Sequence, residues 1–158
     1  MEYRQKYESM LQTLCNAYNK IFKLLEGVEQ CDRELARLSR INRPSVEDVC
    51  RVTEYKERLI VTMDQISIAI DPIHNQLDGI RALCQEIDNH PMYLHLNDLQ
   101  LLVYYYIRQV INKEDINNPD IINRLNRYKE SLELDKALSE VPDSQKQFFM
   151  LIPEKKCE

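Results

Sequence analysis

The sequence predicts an all-α protein, an elongated antiparallel bundle built on two long helices. In residues 46–89 apolar side chains recur at alternating steps of three and four, which places them on one face of a helix but on both faces of a strand. This second-helix seam comprises Val49, Val52, Lys56, Leu59, Met63, Ile66, Ile70, Ile73, Leu77, Ile80, Cys84 and Ile87. The chain of 158 residues has only two glycines, which argues against many short strands joined by tight hairpins.

The first long helix is predicted at about residues 3–41. Its seam begins with Tyr7, Leu11, Leu14, Tyr18, Ile21, Leu25 and Val28. The stripe then shifts to Cys31, Leu35 and Leu38, because Asp32 occupies the next position of the strict repeat. Additional apolar residues beside this stripe suit a bundle better than a two-stranded coil.

Prolines mark the ends of the second helix and one point inside it. Pro44 disfavours helix in the residue before it, and Ser45 is a good N-cap for a helix over residues 46–89. Inside that range, Asp71 either caps a fresh helix with Pro72 at its first position, or a single helix is kinked there. The seam passes Pro72 without losing phase, which favours the kinked, continuous helix.

Two shorter helices are predicted in the second half of the chain. His90 and Pro91 end the second helix, and residues 92–96 form a short apolar link. A capping-box pattern at residues 97–100 starts a third helix at about 98–112. Pro119 opens a fourth helix at about 119–140, so residues 1–142 form a single domain and residues 143–158 form a tail.

Charge and cysteine content limit the classes of partner. The net charge of −5 gives no general attraction to nucleic acid, and no apolar run is long enough for membrane insertion. Five cysteines without Cys-x-x-Cys spacing suit reduced thiols in a cytoplasmic protein, and no signal peptide is visible. We therefore expect a cytoplasmic protein whose partner is another protein.

The sequence offers little for catalysis. Its three histidines, His74, His90 and His95, show no metal-ligand spacing, and no phosphate loop, nucleotide fingerprint or nucleophile motif occurs. We therefore expect no enzymatic activity, metal or cofactor. Lys56, the only charged residue of the second-helix seam, is expected to fix the register of the long helices, because a lone polar seam residue selects one alignment.

Two segments carry more apolar surface than one core needs. Tyr104, Tyr105 and Tyr106 point about 100° apart on a helix, so they cannot all face one core. The residues predicted to bind a partner are Leu101, Tyr104, Tyr105 and Ile107, together with Phe148, Phe149 and Leu151 of the tail. The tail segment either folds back on the bundle, docks on another chain, or holds a groove until a partner displaces it.

The first 89 residues resemble the flagellar export chaperones of the FlgN and FliT type. The resemblance rests on the Tyr- and Leu-rich first helix and on the second helix opening just after the turn. There the stretch from Val46 to Ile60 contains Lys56 in a Lys-x-x-Leu-Ile setting. The last two helices and the proline-punctuated tail depart from a simple version of the family.

This resemblance implies a cytoplasmic chaperone without catalysis. Such a protein would hold the amphipathic helical ends of flagellar hook-associated, cap or filament proteins and deliver them to the type III export apparatus. Client binding in the family tends to use C-terminal helices, which here means residues 99–110 and 121–138. The alternative is a structural coiled-coil scaffold or homo-oligomeric adaptor, in which a homodimer pairs the long seams between identical chains.

Overall fold

The computed structural model describes residues 2–113 and 119–131, and within these ranges it contains four α-helices and no strand. The helices are α1 (Glu2–Ser39), α2 (Val46–Leu83), α3 (Pro91–Lys113) and α4 (Pro119–Ser131). The all-α bundle of two long and two shorter helices is therefore confirmed. The predicted end of the fourth helix at residue 140, the domain boundary at residue 142 and the tail lie outside the described residues.

The two long helices form an antiparallel hairpin. Tyr18 in the first half of α1 meets His74 in the second half of α2, whereas Asp32 in the second half of α1 meets Lys56 in the first half of α2. Each helix has 38 residues and is about 57 Å long at 1.5 Å per residue. All seven residues that begin the first seam, from Tyr7 to Val28, are buried as predicted.

The α2 helix is continuous through Pro72, as the unbroken seam predicts. Proline has no N–H to donate, so the carbonyl of Ile68 loses its normal partner four residues on. Ser45 caps the start of α2, where its side chain accepts a hydrogen bond from the N–H of Asp48 at 3.4 Å.

The second helix ends earlier than predicted. Cys84 adopts an extended conformation (φ −136°, ψ 92°), and a 3₁₀ turn over Gln85–Asn89 replaces the last predicted turns of helix. The prediction of one α-helix to residue 89 was therefore wrong, although Ile87 is still fully buried. The tight turn places Ile87 in the core while it leads the chain to His90, whose conformation is restricted by the proline that follows.

The third helix begins at Pro91 rather than at residue 98, so the predicted link over residues 92–96 is helical. His90 supplies the cap: its Nδ1 accepts a hydrogen bond from the N–H of Met92 at 3.1 Å, and its Nε2 lies 3.1 Å from Oε1 of Glu8. Pro91 occupies the first helical position, where its missing N–H costs nothing. The predicted capping box over residues 97–100 lies inside the helix instead.

Helix α1 packs against both α2 and α3, and α4 packs against α2 and α3 on the opposite side. Contacts of Gln100 with Tyr18 and of Lys113 with Glu29 show that α3 runs parallel to α1. The described α4 has 13 residues and covers part of the bundle. One apolar core connects the four helices.

The two glycines have different environments, which gives a stability prediction. A Cβ on Gly27 would lie 2.9 Å from Cδ1 of Leu59, so this glycine permits close packing of α1 on α2, whereas a Cβ on Gly79 would meet nothing within 4 Å. We expect Gly79→Ala to raise the free energy of unfolding by about 1 kcal/mol, since it removes the entropic cost of a helical glycine. Urea denaturation measures this change, and any loss of stability would contradict the prediction.

Candidate partner-binding surface

The three consecutive tyrosines of α3 point in three directions, as helix geometry requires. Tyr104 is buried, and Nζ of Lys129 in α4 lies 5.9 Å from its ring centroid. Tyr106 faces α1, where its ring packs on Phe22 at a centroid distance of 5.0 Å. Tyr105 is half-buried, and its hydroxyl accepts a hydrogen bond from Nε2 of Gln109 at 3.0 Å.

The predicted binding residues divide between the core and the surface. Ile107 is fully buried and Tyr104 is 8% exposed, so both belong to the core of this chain. Leu101 and Tyr105 are half-buried. Phe148, Phe149 and Leu151 lie outside the described residues. The sequence prediction therefore combined core and surface positions, because the packing of neighbouring helices decides which sides of α3 are covered.

Two exposed leucines extend the surface that Leu101 and Tyr105 begin. Leu94 is 51% exposed and Leu102 is 45% exposed. Leu101 and Leu102 lie seven and eight residues after Leu94, and Tyr105 lies four and three residues after them. This spacing places all four residues on one side of the helix. We call them the outer face of α3. Sequence reasoning missed Leu94 because it was assigned to a link, although Pro91 at a first helical position was a usable signal.

A charged cluster fixes α3 against α1 next to this face. The hydroxyl of Tyr106 donates a short hydrogen bond to Glu29, which also lies 2.9 Å from Arg33 and 3.4 Å from Lys113. The hydrogen bond from Tyr106, followed by the positive charge of Lys113, lowers the pKa of Glu29. Burial and this hydrogen bond raise the pKa of Tyr106. The cluster therefore holds the C-terminal half of α3 in one position on α1.

An ion pair joins α1 to α2 in the half of the hairpin that contains their connection. Nζ of Lys56 lies 2.6 Å from Oδ1 of Asp32, and the Lys56 side chain is 2% exposed. The two residues are the polar members of their respective seams. Their contact supports the expected role of Lys56 in fixing register, because a shifted alignment would separate two charges that are costly to bury apart.

A third polar contact connects three helices. The hydroxyl of Tyr18 lies 2.7 Å from Nε2 of His74, and it accepts a hydrogen bond from Nε2 of Gln100 at 3.3 Å. Burial raises the pKa of Tyr18 to about 12, so its hydroxyl stays protonated at neutral pH. His74 and His90 thus join helices to one another, whereas His95 is exposed.

The described part of the chain offers no group of three or more histidine, cysteine or acidic side chains that could hold a metal ion. In the same part, none of the helices has both the length and the apolar character needed to cross a membrane. No family model matches the chain, and no curated protein or solved structure is significantly similar to it. Functional inference therefore rests on the surfaces themselves.

The ion pair between Lys56 and Asp32 gives a second stability prediction. We expect Lys56→Ala to lower the free energy of unfolding by about 3 kcal/mol, because it leaves a largely buried carboxylate without this cation and opens a cavity. Lys56→Met, which keeps the apolar stem, should cost about half as much. The exposed Lys20→Ala is the matched control and should change stability by less than about 0.5 kcal/mol. A cost for Lys56→Ala no larger than that of the control would contradict this assignment.

The Tyr106 contact predicts a pH-dependent effect. The pKa of Glu29 is lowered in the folded protein, so this carboxylate stabilises the fold above its usual pKa of 4.5 and loses that contribution as the pH falls through the folded value. At pH 7, Tyr106→Phe should cost about 1–2 kcal/mol. Denaturation at several pH values should show this cost shrinking in acid, while the exposed Tyr55→Phe control stays near zero throughout. A cost for Tyr106→Phe that is the same at every pH would be inconsistent with an ionised Glu29 as its acceptor.

Proposed function

We propose that the protein is a non-enzymatic cytoplasmic chaperone that binds amphipathic helices of flagellar type III secretion substrates and keeps them competent for export. The observation that carries this proposal is the outer face of α3. It exposes Leu94 and Leu102 beside half-buried Leu101 and Tyr105, above a core that is already filled by other residues of the same helix.

A client helix is the occupant that this face fits best. An amphipathic helix binds by laying its apolar side into a surface whose apolar residues share the helical spacing. Tyrosine is favoured at such surfaces, because its ring buries a large area while its hydroxyl keeps a polar partner. Here Gln109 already bonds the hydroxyl of Tyr105, so the ring can be covered without stranding a polar group.

The scaffold alternative is less well supported by the packing. A coiled-coil scaffold would pair its long seams between identical chains. In this structure the seams of α1 and α2 pack against each other within one chain, with Tyr7 to Val28 buried on α1 and Met63, Ile70 and Leu77 buried on α2. A second copy is therefore not required to cover them.

Solution mass, measured alone and after co-expression with candidate flagellar hook-associated, cap and filament proteins, tests the proposal. We expect a monomer or weak dimer that forms a stoichiometric complex with one of these substrates. Leu102→Asp should weaken that complex at least about tenfold, because it places a charge in the centre of the contact. Ile41→Asp, at a residue of similar exposure in the α1–α2 connection, is the matched control and should leave affinity unchanged. A tight dimer indifferent to every substrate would refute the chaperone role.

The tail is tested separately by truncation before Phe148. We propose that Phe148, Phe149 and Leu151 act as a self-occupying segment that covers an apolar surface until a client displaces it. Truncation should then raise client affinity and lower the solubility of the chain, since an apolar surface is uncovered. If both quantities stay the same, the tail does not have this role.

A further inference from the structure

The side of α2 that points away from α1 carries a second line of mostly apolar and small residues, interrupted by Glu57. The line advances by alternating steps of four and seven, and an 11-residue period is close to three helical turns, so it runs nearly straight. Every member is exposed. We call it the outward stripe of α2: Val46, Cys50, Glu57, Val61, Ile68, Pro72, Gly79 and Leu83.

Exposure along this stripe is high for large apolar side chains. Ile68 is 71% exposed and Leu83 is 87% exposed. Single exposed apolar residues are common on protein surfaces, but Val46, Val61, Ile68 and Leu83 share one line of α2, an arrangement that a second helix with matching spacing can contact. The core does not use them, because α2 already buries Met63, Ile70 and Leu77 on its opposite side.

Gly79 and Pro72 lie on the same stripe, and both residue types lower the stability of a helix interior. A Cβ at position 79 would meet nothing within 4 Å, so the chain's own packing does not require glycine there. It does leave the backbone open to close approach by a second helix. Pro72 has no N–H to donate to the carbonyl of Ile68.

Charge decides which kind of helix the stripe fits. Its borders hold four exposed acidic side chains, Glu47, Glu54, Asp71 and Asp78, of which Asp78 lies 3.5 Å from Arg81, and a fifth, Glu57, lies within the stripe itself. The two exposed arginines nearby are engaged, since Arg51 pairs with Asp48 at 3.4 Å and Arg58 lies over the ring of Tyr55. A second copy of this face would bring acidic borders together, whereas a cationic helix would complement them.

We propose that the outward stripe of α2 is a second docking surface and that its occupant is a basic amphipathic helix of another protein. That helix carries apolar residues at i, i+4, i+7 and i+11, with lysine or arginine on both sides. It approaches most closely at Gly79, where a Cβ would meet nothing within 4 Å. This surface lies on a different helix from the proposed client site, so it goes beyond the chaperone proposal and does not depend on it.

Fluorescence anisotropy with the full chain tests this proposal. The probe is a labelled synthetic helical peptide of about 18 residues, or five turns, with leucine at the stated spacing and lysine on both borders. The control peptide keeps the leucines and replaces each lysine by glutamate. We expect the lysine peptide to bind at least tenfold more tightly than the control, and its affinity to fall as salt is added.

Variants locate the binding site. Ile68→Lys should weaken the lysine peptide at least tenfold, and Ile41→Lys, at an exposed residue in the α1–α2 connection, is the matched control and should not change its affinity. Gly79→Ala should weaken binding severalfold although the variant is no less stable, an effect that misfolding cannot imitate. The two glycine amides report separately in a ¹⁵N correlation spectrum: Gly79 should shift on binding, and Gly27, against Leu59, should not.

Three results would overturn the proposal. Equal binding of the two peptides would show that charge does not select the occupant. Unchanged affinity in Ile68→Lys or Gly79→Ala would show that the peptide does not bind at the outward stripe of α2. Sedimentation of the chain alone as a stable dimer that Ile68→Lys dissociates would show that a second copy occupies the stripe. None of these results bears on client binding at α3, which its own variants test.

Discussion

The ion pair between Lys56 and Asp32 is the contact on which the arrangement of the bundle depends. Each long helix has one charged residue in an otherwise apolar seam, and the two charges meet at 2.6 Å with Lys56 almost completely buried. Apolar seams pack acceptably in several registers, but a slip of one turn would leave an ammonium group in the core without this carboxylate. The pair thus selects the alignment in which Gly27 accepts Leu59 and Tyr18 meets His74.

The register of the two long helices also determines which faces of the bundle are buried and which stay exposed. The hairpin fills its own core, and Tyr106, bonded to Glu29, holds α3 on α1. Among the described residues, two apolar faces are then left outside: the outer face of α3 and the outward stripe of α2. They differ in chemistry, because the face of α3 presents a tyrosine and leucines, whereas the stripe of α2 is bordered by acidic side chains.

Sequence periodicity predicted the long helices and their buried sides well, because burial on a helix repeats with the helical turn. It did not predict where α3 begins. Pro91 both terminates one helix and fits the first position of the next, and the sequence alone did not show which effect dominates. It marked Asp32 and Lys56 as exceptions in their seams, but their pairing depends on register, which a repeating pattern does not determine. Ile107 was predicted to lie at a surface, because the sequence does not show which side of α3 the neighbouring helices cover.

The long seams of α1 and α2 are satisfied within one chain, so that, in the part of the chain that the structure describes, the outward faces are the ones available to partners. Hydrogen exchange of the full chain, measured at several protein concentrations, tests it most directly. We predict that amides of α1 and α2 exchange slowest, at rates independent of concentration, because one chain supplies all their packing. Protection of these helices that grows with concentration would show that the seams pair between chains and would contradict the account.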